Sequence, residues 1–144
     1  MILIIIISIL LFYITILIHL LVFHVTNRSL KKYNQSNLAD IIYKAAAIMI
    51  AHSSQIILYA AVYYMLTQNL LYGHLSGDIT NEFFEYIYYS IVSYTSLGLG
   101  DVWPHGPVRL LTGVEAINGL FLIGWSIMYS YPSLVKISSL DIEK

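Results

Sequence analysis

Residues 93–104 read SYTSLGLGDVWP. Gly98 and Gly100 alternate with Leu97 and Leu99, hydroxyls at Ser93, Thr95 and Ser96 come before them, and Asp101 and Pro104 follow. Glycine adopts backbone angles of the opposite sign to those its neighbours prefer, so this alternation lets successive carbonyls point the same way. The stretch lies in a chain of 144 residues that is 58% hydrophobic and only 10% charged, which points to lipid as solvent. Irregular backbone is tolerated at membrane depth only where protein encloses it or where it lines water, because bare amides are costly in hydrocarbon. SLGLG must therefore face water or an ion.

Outward from this stretch, the chain divides into three long apolar segments. Ile2 to Val25 carries no charge and is interrupted only by Ser8, Thr15, His19 and His24. A helix of that length crosses about 30 Å of hydrocarbon. A signal peptide is disfavoured, because no basic region precedes it and no small-x-small cleavage site follows it. Residues 1–25 are thus expected to be an additional membrane helix and residues 26–40, with Arg28, Lys31, Lys32, Asn34, Gln35 and Asn37, a cytoplasmic loop. The second segment, 41–71, has Lys44 near its start and the tetrad HSSQ, His52 to Gln55, near mid-depth. His52 and Gln55 share a helical face, so a helix–helix contact is preferred to a proton-handling histidine. The third segment, 108–131, ends beside Pro132, and 132–144 reads as a short cytoplasmic tail.

Between the second and third segments, residues 81–94 are aromatic-rich and helix-compatible, with Asp78, Thr80 and Asn81 as capping candidates. Their length suits a short re-entrant helix. Arg28, Lys31, Lys32 and Lys44 cluster at one junction and Lys136 and Lys144 follow the third segment, so the positive-inside rule puts both in the cytoplasm and the amino terminus outside. The outer region then carries Asp78, Glu82, Glu85 and Asp101 and no Lys or Arg before Arg109, which favours cations at the mouth. Glu82 and Glu85 are better read as acids favoured by a helix start than as an enzymatic pair. The lack of cysteine removes thiolate chemistry, and a net charge of -1 argues against nucleic acid. No enzyme, cofactor or nucleic-acid partner is expected.

Here the chain resembles the pore domain of potassium channels, the two-helix, one-pore-loop unit of tetrameric cation channels. The family signature Thr-Thr-Val-Gly-Tyr-Gly-Asp, followed two residues later by Pro, is similar to Thr95, Ser96, Leu97, Gly98, Leu99, Gly100, Asp101 and Pro104. The paired aromatics of the family's pore helix match Tyr88 and Tyr89, its hydroxyl before the filter matches Ser93, and RLLTGVEAING from Arg109 resembles the start of small bacterial inner helices. The resemblance covers Ile41 to Tyr131 and leaves the first helix as an addition that can pack around the outside of the pore unit, shield a lipid-facing groove or recruit an unidentified partner.

The resemblance implies an all-α membrane protein with outer helix 41–71, pore helix 81–94, filter 96–100 and inner helix 108–131. It further implies a homotetramer in the plasma membrane passing monovalent cations, with potassium held transiently by the carbonyls of Ser96 to Gly100 and the Ser96 hydroxyl. The side chains of Leu97 and Leu99 would point back into the protein. Leu99 departs from the family tyrosine and lacks the hydroxyl that tethers it to the surrounding aromatics, so a nonselective cation channel is the nearest alternative. A non-conducting accessory protein is the alternative of another class. Asp101 reads equally as mouth charge or filter brace, since Val92 replaces its usual acidic partner. His105 reads as a surface residue with a titrating role as the alternative. Glu115, on a ridge with Thr112 and Asn118, is read as a brace behind the pore helix, with water access from the cavity as the alternative. Gly119 is a candidate gating hinge or a close-packing position, and the thirteen tyrosines, among them Tyr33, Tyr63, Tyr64 and Tyr131, are read mostly as depth anchors.

Overall fold

The computed structural model describes the backbone of residues 1–33, 38–78, 80 and 82–142, and the side chains of these residues except 31–33 and 136–142. Among the described residues, four helices and two short strands follow in the order α1 (Ile2–Tyr33), α2 (Leu38–Thr67), β1 (His74–Gly77), α3 (Phe83–Tyr94), β2 (Val102–His105) and α4 (Val108–Ile142). Stretches of α1, α2 and α4, at Ile2–Leu30, Leu38–Thr67 and Val108–Val135, are long and apolar enough to cross a membrane. The protein is a multi-pass, mainly helical membrane protein.

The three long helices bury narrow stripes and leave the rest of their surface apolar and exposed. On α1 the stripe is Ile4, Ser8, Leu11, Thr15, His19, Phe23 and Thr26, spaced three and four apart on one face. The face gathers Ser8, Thr15, His19 and Thr26, while His24 stays exposed. Ser8 and Thr15 donate to the carbonyls of Ile4 and Leu11 at 2.7 and 2.9 Å, which satisfies their hydroxyls inside the helix. On α2 the buried positions Ala51, Gln55, Tyr59, Ala60, Tyr63 and Leu66 form the matching stripe. Helix α1 packs against both α2 and α4, so the first helix is built into the unit.

Several boundaries differ from expectation. The polar stretch from Thr26 continues as helix to Tyr33 where a loop is expected. Arg28, Lys31 and Lys32 are competent helix formers, and the Tyr129 hydroxyl ties this turn down by donating to Asn27 Oδ1 at 2.8 Å. The expected loop residues Asn34, Gln35 and Asn37 lie outside the described residues. Helix α4 passes through Pro132 to Ile142, beyond the expected end at Tyr131. Proline removes one backbone donor there, facing the Met128 carbonyl on an exposed part of the helix. Helix α2 stops at Thr67, short of the expected 71; Asn69 Oδ1 accepts from the Leu71 amide at 3.0 Å and shapes the turn that follows. Helix α3 starts after Glu82, which sits in the cap position in extended geometry without a side-chain cap bond. Asp78 and Thr80 precede that position and do not cap it, while Asn81 lies outside the described residues.

The two strands pair antiparallel, with His74 opposite His105 and Gly77 opposite Val102. They flank α3 and the segment after it, so the ribbon closes the base of the whole loop. Gly73 and Gly77 make it fit: both have φ near +110°, and a Cβ would stand 2.0 Å from the His105 carbonyl oxygen or 1.9 Å from that of Asp101. The Val108 amide donates to the Tyr72 carbonyl at 2.9 Å, carrying the closure into the start of α4.

Candidate functional site

The loop from Ser96 to Gly100 leaves the carboxyl end of α3. Thr95 ends the helix as its cap, its amide and hydroxyl both reaching the Ile91 carbonyl. The Ser96 amide donates to the Ser93 carbonyl at 3.0 Å, and the amides of Leu97 and Gly98 donate to the Val92 carbonyl at 3.0 and 3.4 Å. These bonds fold the loop back against the helix end. Helix carboxyl ends carry partial negative charge, so the loop begins in a field that favours a cation.

Backbone sign alternates along the loop. Ser96, Gly98 and Gly100 have φ of 58°, 58° and 81°, with Leu97 and Leu99 between them outside the left-handed region. Ser96 is the positive-φ residue with a side chain among the described residues, a conformation that carries strain in a non-glycine residue. A Cβ at Gly98 or Gly100 would meet nothing within 4 Å, so their need for glycine is conformational. Residues 95–101 are all exposed. Within the single subunit the side chains of Leu97 and Leu99 are 62% and 59% exposed.

The opposite side of α3 is densely bonded. Glu115 of α4 is fully buried and accepts from the Tyr63 hydroxyl at 2.6 Å and the Ser90 hydroxyl at 2.5 Å, which joins α2, α3 and α4 at one carboxylate. Its burial agrees with the bracing role and leaves no exposed path to it within the subunit. Tyr89 is buried and shares a hydrogen bond of 2.7 Å with Thr112. Ser93 is buried. Gly119 packs directly under the helix end: a Cβ there would lie 1.9 Å from the Tyr94 carbonyl oxygen. This is close packing, one of the two roles expected for Gly119.

A second polar chain runs from α3 to α1. The Tyr94 hydroxyl donates to Gln55 Oε1 at 2.5 Å and bonds His52 Nδ1 at 2.8 Å. Gln55 Nε2 lies 3.1 Å from His19 Nδ1, and the Ser126 hydroxyl is 3.0 Å from both His19 and His52. The HSSQ tetrad therefore makes the helix–helix contact expected of it. Asn118 donates to Thr15 at 2.6 Å and Tyr59 at 3.0 Å. Sequence reading missed Tyr63, Ser90, Tyr94 and His19 in these roles; the signal was their position on the buried face of each helix.

At the loop's exit, Tyr88 donates its hydroxyl to Asp101, and the Val102 amide donates to Asp101 Oδ1 at 3.0 Å. The bond from Tyr88, more than the adjoining backbone amides, holds the Asp101 carboxyl below its ordinary value even though the group is exposed. The Asp101 carbonyl also accepts from the Asp78 amide at 3.1 Å, fastening the exit to the ribbon. Asp101 is thus tied to α3 through Tyr88, the bracing arm of the two roles expected for it. His105 remains at the surface, its Nε2 accepting from the Trp103 indole at 2.9 Å and its ring stacked on His74.

A membrane-embedded unit with a short helix and an irregular, water-requiring loop held between two spans defines a pore-forming membrane protein. The chain belongs to the ion channel family of two-transmembrane pore domains, whose match covers residues 51–131. The match opens at Ala51 within α2 and closes at Tyr131 within α4, so it takes in α3 and the 96–100 loop and leaves α1 outside. No curated protein and no solved structure matches the chain.

Proposed function

We propose that the protein is a passive homotetrameric potassium channel in which Ser96 to Gly100 of four copies surround one axis. The observation that carries this reading is the alternation of left-handed backbone at Ser96, Gly98 and Gly100 in an exposed loop. Alternation of this kind turns successive carbonyls one way, and rings of such oxygens replace a cation's hydration shell. Potassium is then the permeant ion and the Ser96 hydroxyl one further ligand; no cofactor takes part. One loop per chain cannot encircle a path, which is why the reading includes a closed symmetric assembly. Exposed Leu97 and Leu99 gain their cover from the neighbouring copy. The basic residues near the α1–α2 junction favour a plasma-membrane orientation with the amino terminus outside.

The test is the reversal potential of purified tetrameric protein in planar bilayers with potassium on one side and sodium on the other. A reversal close to the potassium equilibrium potential is expected. A value near zero would replace this reading with the nonselective channel, which Leu99 favours because it offers no hydroxyl to tether the loop. Absence of current in correctly oriented tetramers would favour a non-conducting accessory role.

A further inference from the structure

A groove of about 440 Å³ lies between α2 and α4, lined by residues of these two helices and by none of α1. We propose that it is a binding site for one acyl chain of an anionic phospholipid, whose phosphate is held by Lys44. The inference rests on the chain being embedded in a membrane and not on its conduction.

Both walls belong to segments long and apolar enough to span a bilayer, and they are mostly aliphatic, with Ile48 and Ile127 among them. Lipid is the solvent there, and an apolar concavity of this size suits an alkyl chain. The polar groups sit at the two ends. At one end His52 and Ser126 bond each other at 3.0 Å, so they present no free demand for a polar guest. At the other end stand Lys44 and Ser133, where the Lys44 ammonium donates to the Ser133 hydroxyl at 2.5 Å and lies 5.3 Å from the Tyr129 ring centroid.

Those Lys44 partners are neutral, and among the described residues no carboxylate pairs with it. An ammonium has three donors, so donors remain for a phosphate. The bond from Tyr129 to Asn27 brings the carboxyl-terminal part of α1, where Arg28 follows Asn27, to this end of the molecule. Basic groups gathered where helices meet the headgroup layer select anionic lipids. A second copy of the chain is the poorer occupant: covering the groove would bury the Lys44 ammonium, while Glu115, the deep carboxylate, is already spent inside its own subunit.

The full chain, purified in detergent and offered equal amounts of dioleoyl phosphatidylglycerol and dioleoyl phosphatidylcholine, is examined by native mass spectrometry. Phosphatidylglycerol is expected to stay bound in preference. Lys44→Gln should lower its retention about fivefold, Lys44→Arg should keep it, and Ala45→Trp, which fills the groove, should release both lipids. Equal retention of the two lipids, or phosphatidylglycerol retention unchanged in Lys44→Gln, overturns the proposal. So does displacement by glycerol phosphate alone, since no acyl chain would then be required, and so does a structure of the assembly with a neighbour's helix in the groove. If Lys44→Gln fails to fold, Ala45→Trp together with the preference of the unaltered chain decides the matter.

Discussion

Helix α3 and the loop it launches are adjacent in sequence and opposite in construction. The helix is fastened from behind by Tyr63, Thr112 and Glu115, with Tyr94 bonded to Gln55 and His52 at its end. The loop has few bonds beyond its first residues, an alternating left-handed backbone and exposed leucines. Buried hydroxyls and carboxylates must be paired, and behind α3 the Glu115 carboxylate and the Tyr63, Ser90 and Tyr89 hydroxyls find their partners within one chain, while Asn118 Oδ1 is a buried acceptor without one. A backbone that is to meet an ion must keep its carbonyls free, so the front cannot be completed the same way.

Glycine substitutions break this comparison most sharply. Gly98→Ala meets no steric obstacle within the chain, but at φ of 58° it incurs roughly 1–2 kcal/mol of backbone strain and is expected to turn carbonyls away from the path. Current should be lost while the melting temperature of the unit barely moves. Gly119→Ala should do the reverse. Its Cβ collides with the Tyr94 carbonyl, which is backbone and cannot swing aside, so about 1–3 kcal/mol of overpacking should appear as a lower melting temperature in detergent. Unchanged stability in Gly119→Ala with a lowered open probability would restore the hinge role in place of packing.

Much of this division was legible in the sequence, for reasons that differ by element. The three spans are visible because lipid imposes a composition, and the loop is visible because glycines alternating with leucines in such a chain have few other uses. Glu115 stands out because a carboxylate at that depth needs partners, yet its partners Tyr63 and Ser90 do not: thirteen tyrosines make any one of them anonymous until the fold chooses. The buried stripe of α1 was present as Ser8, Thr15 and His19, but isoleucine on every face conceals which side is inside. The β1–β2 ribbon left little trace. Its strands are four residues each, contain Gly77 and Pro104, and owe their pairing to the closure of the loop between them.

Leu99→Tyr sharpens the comparison from the loop's side. The side chain at this position is exposed, so within one chain the added hydroxyl finds room. If it bonds to aromatic neighbours in the assembly, it stiffens the loop from outside, and the potassium-to-sodium permeability ratio should rise several-fold, on the order of one neutral hydrogen bond. Identical ratios in bi-ionic reversal measurements would mean that the bracing already present is sufficient.

The smallest expected effect concerns the link between the two regions. Tyr88 belongs to the helix and Asp101 to the loop's exit, and the bond between them favours the ionised carboxylate. The folded value therefore lies below the ordinary 3.8, so the charge and the stabilisation it brings are intact above that pH and disappear only as external pH falls through the lowered value. Tyr88→Phe removes the largest cause of the lowering and should bring the acid-induced fall in cation current to a higher pH, closer to 3.8, with little change at pH 7. External pH titration of single-channel conductance in the two proteins measures this shift. If the curves coincide, Asp101 keeps its charge without the helix, and the exit is held by the Val102 and Asp78 amides alone.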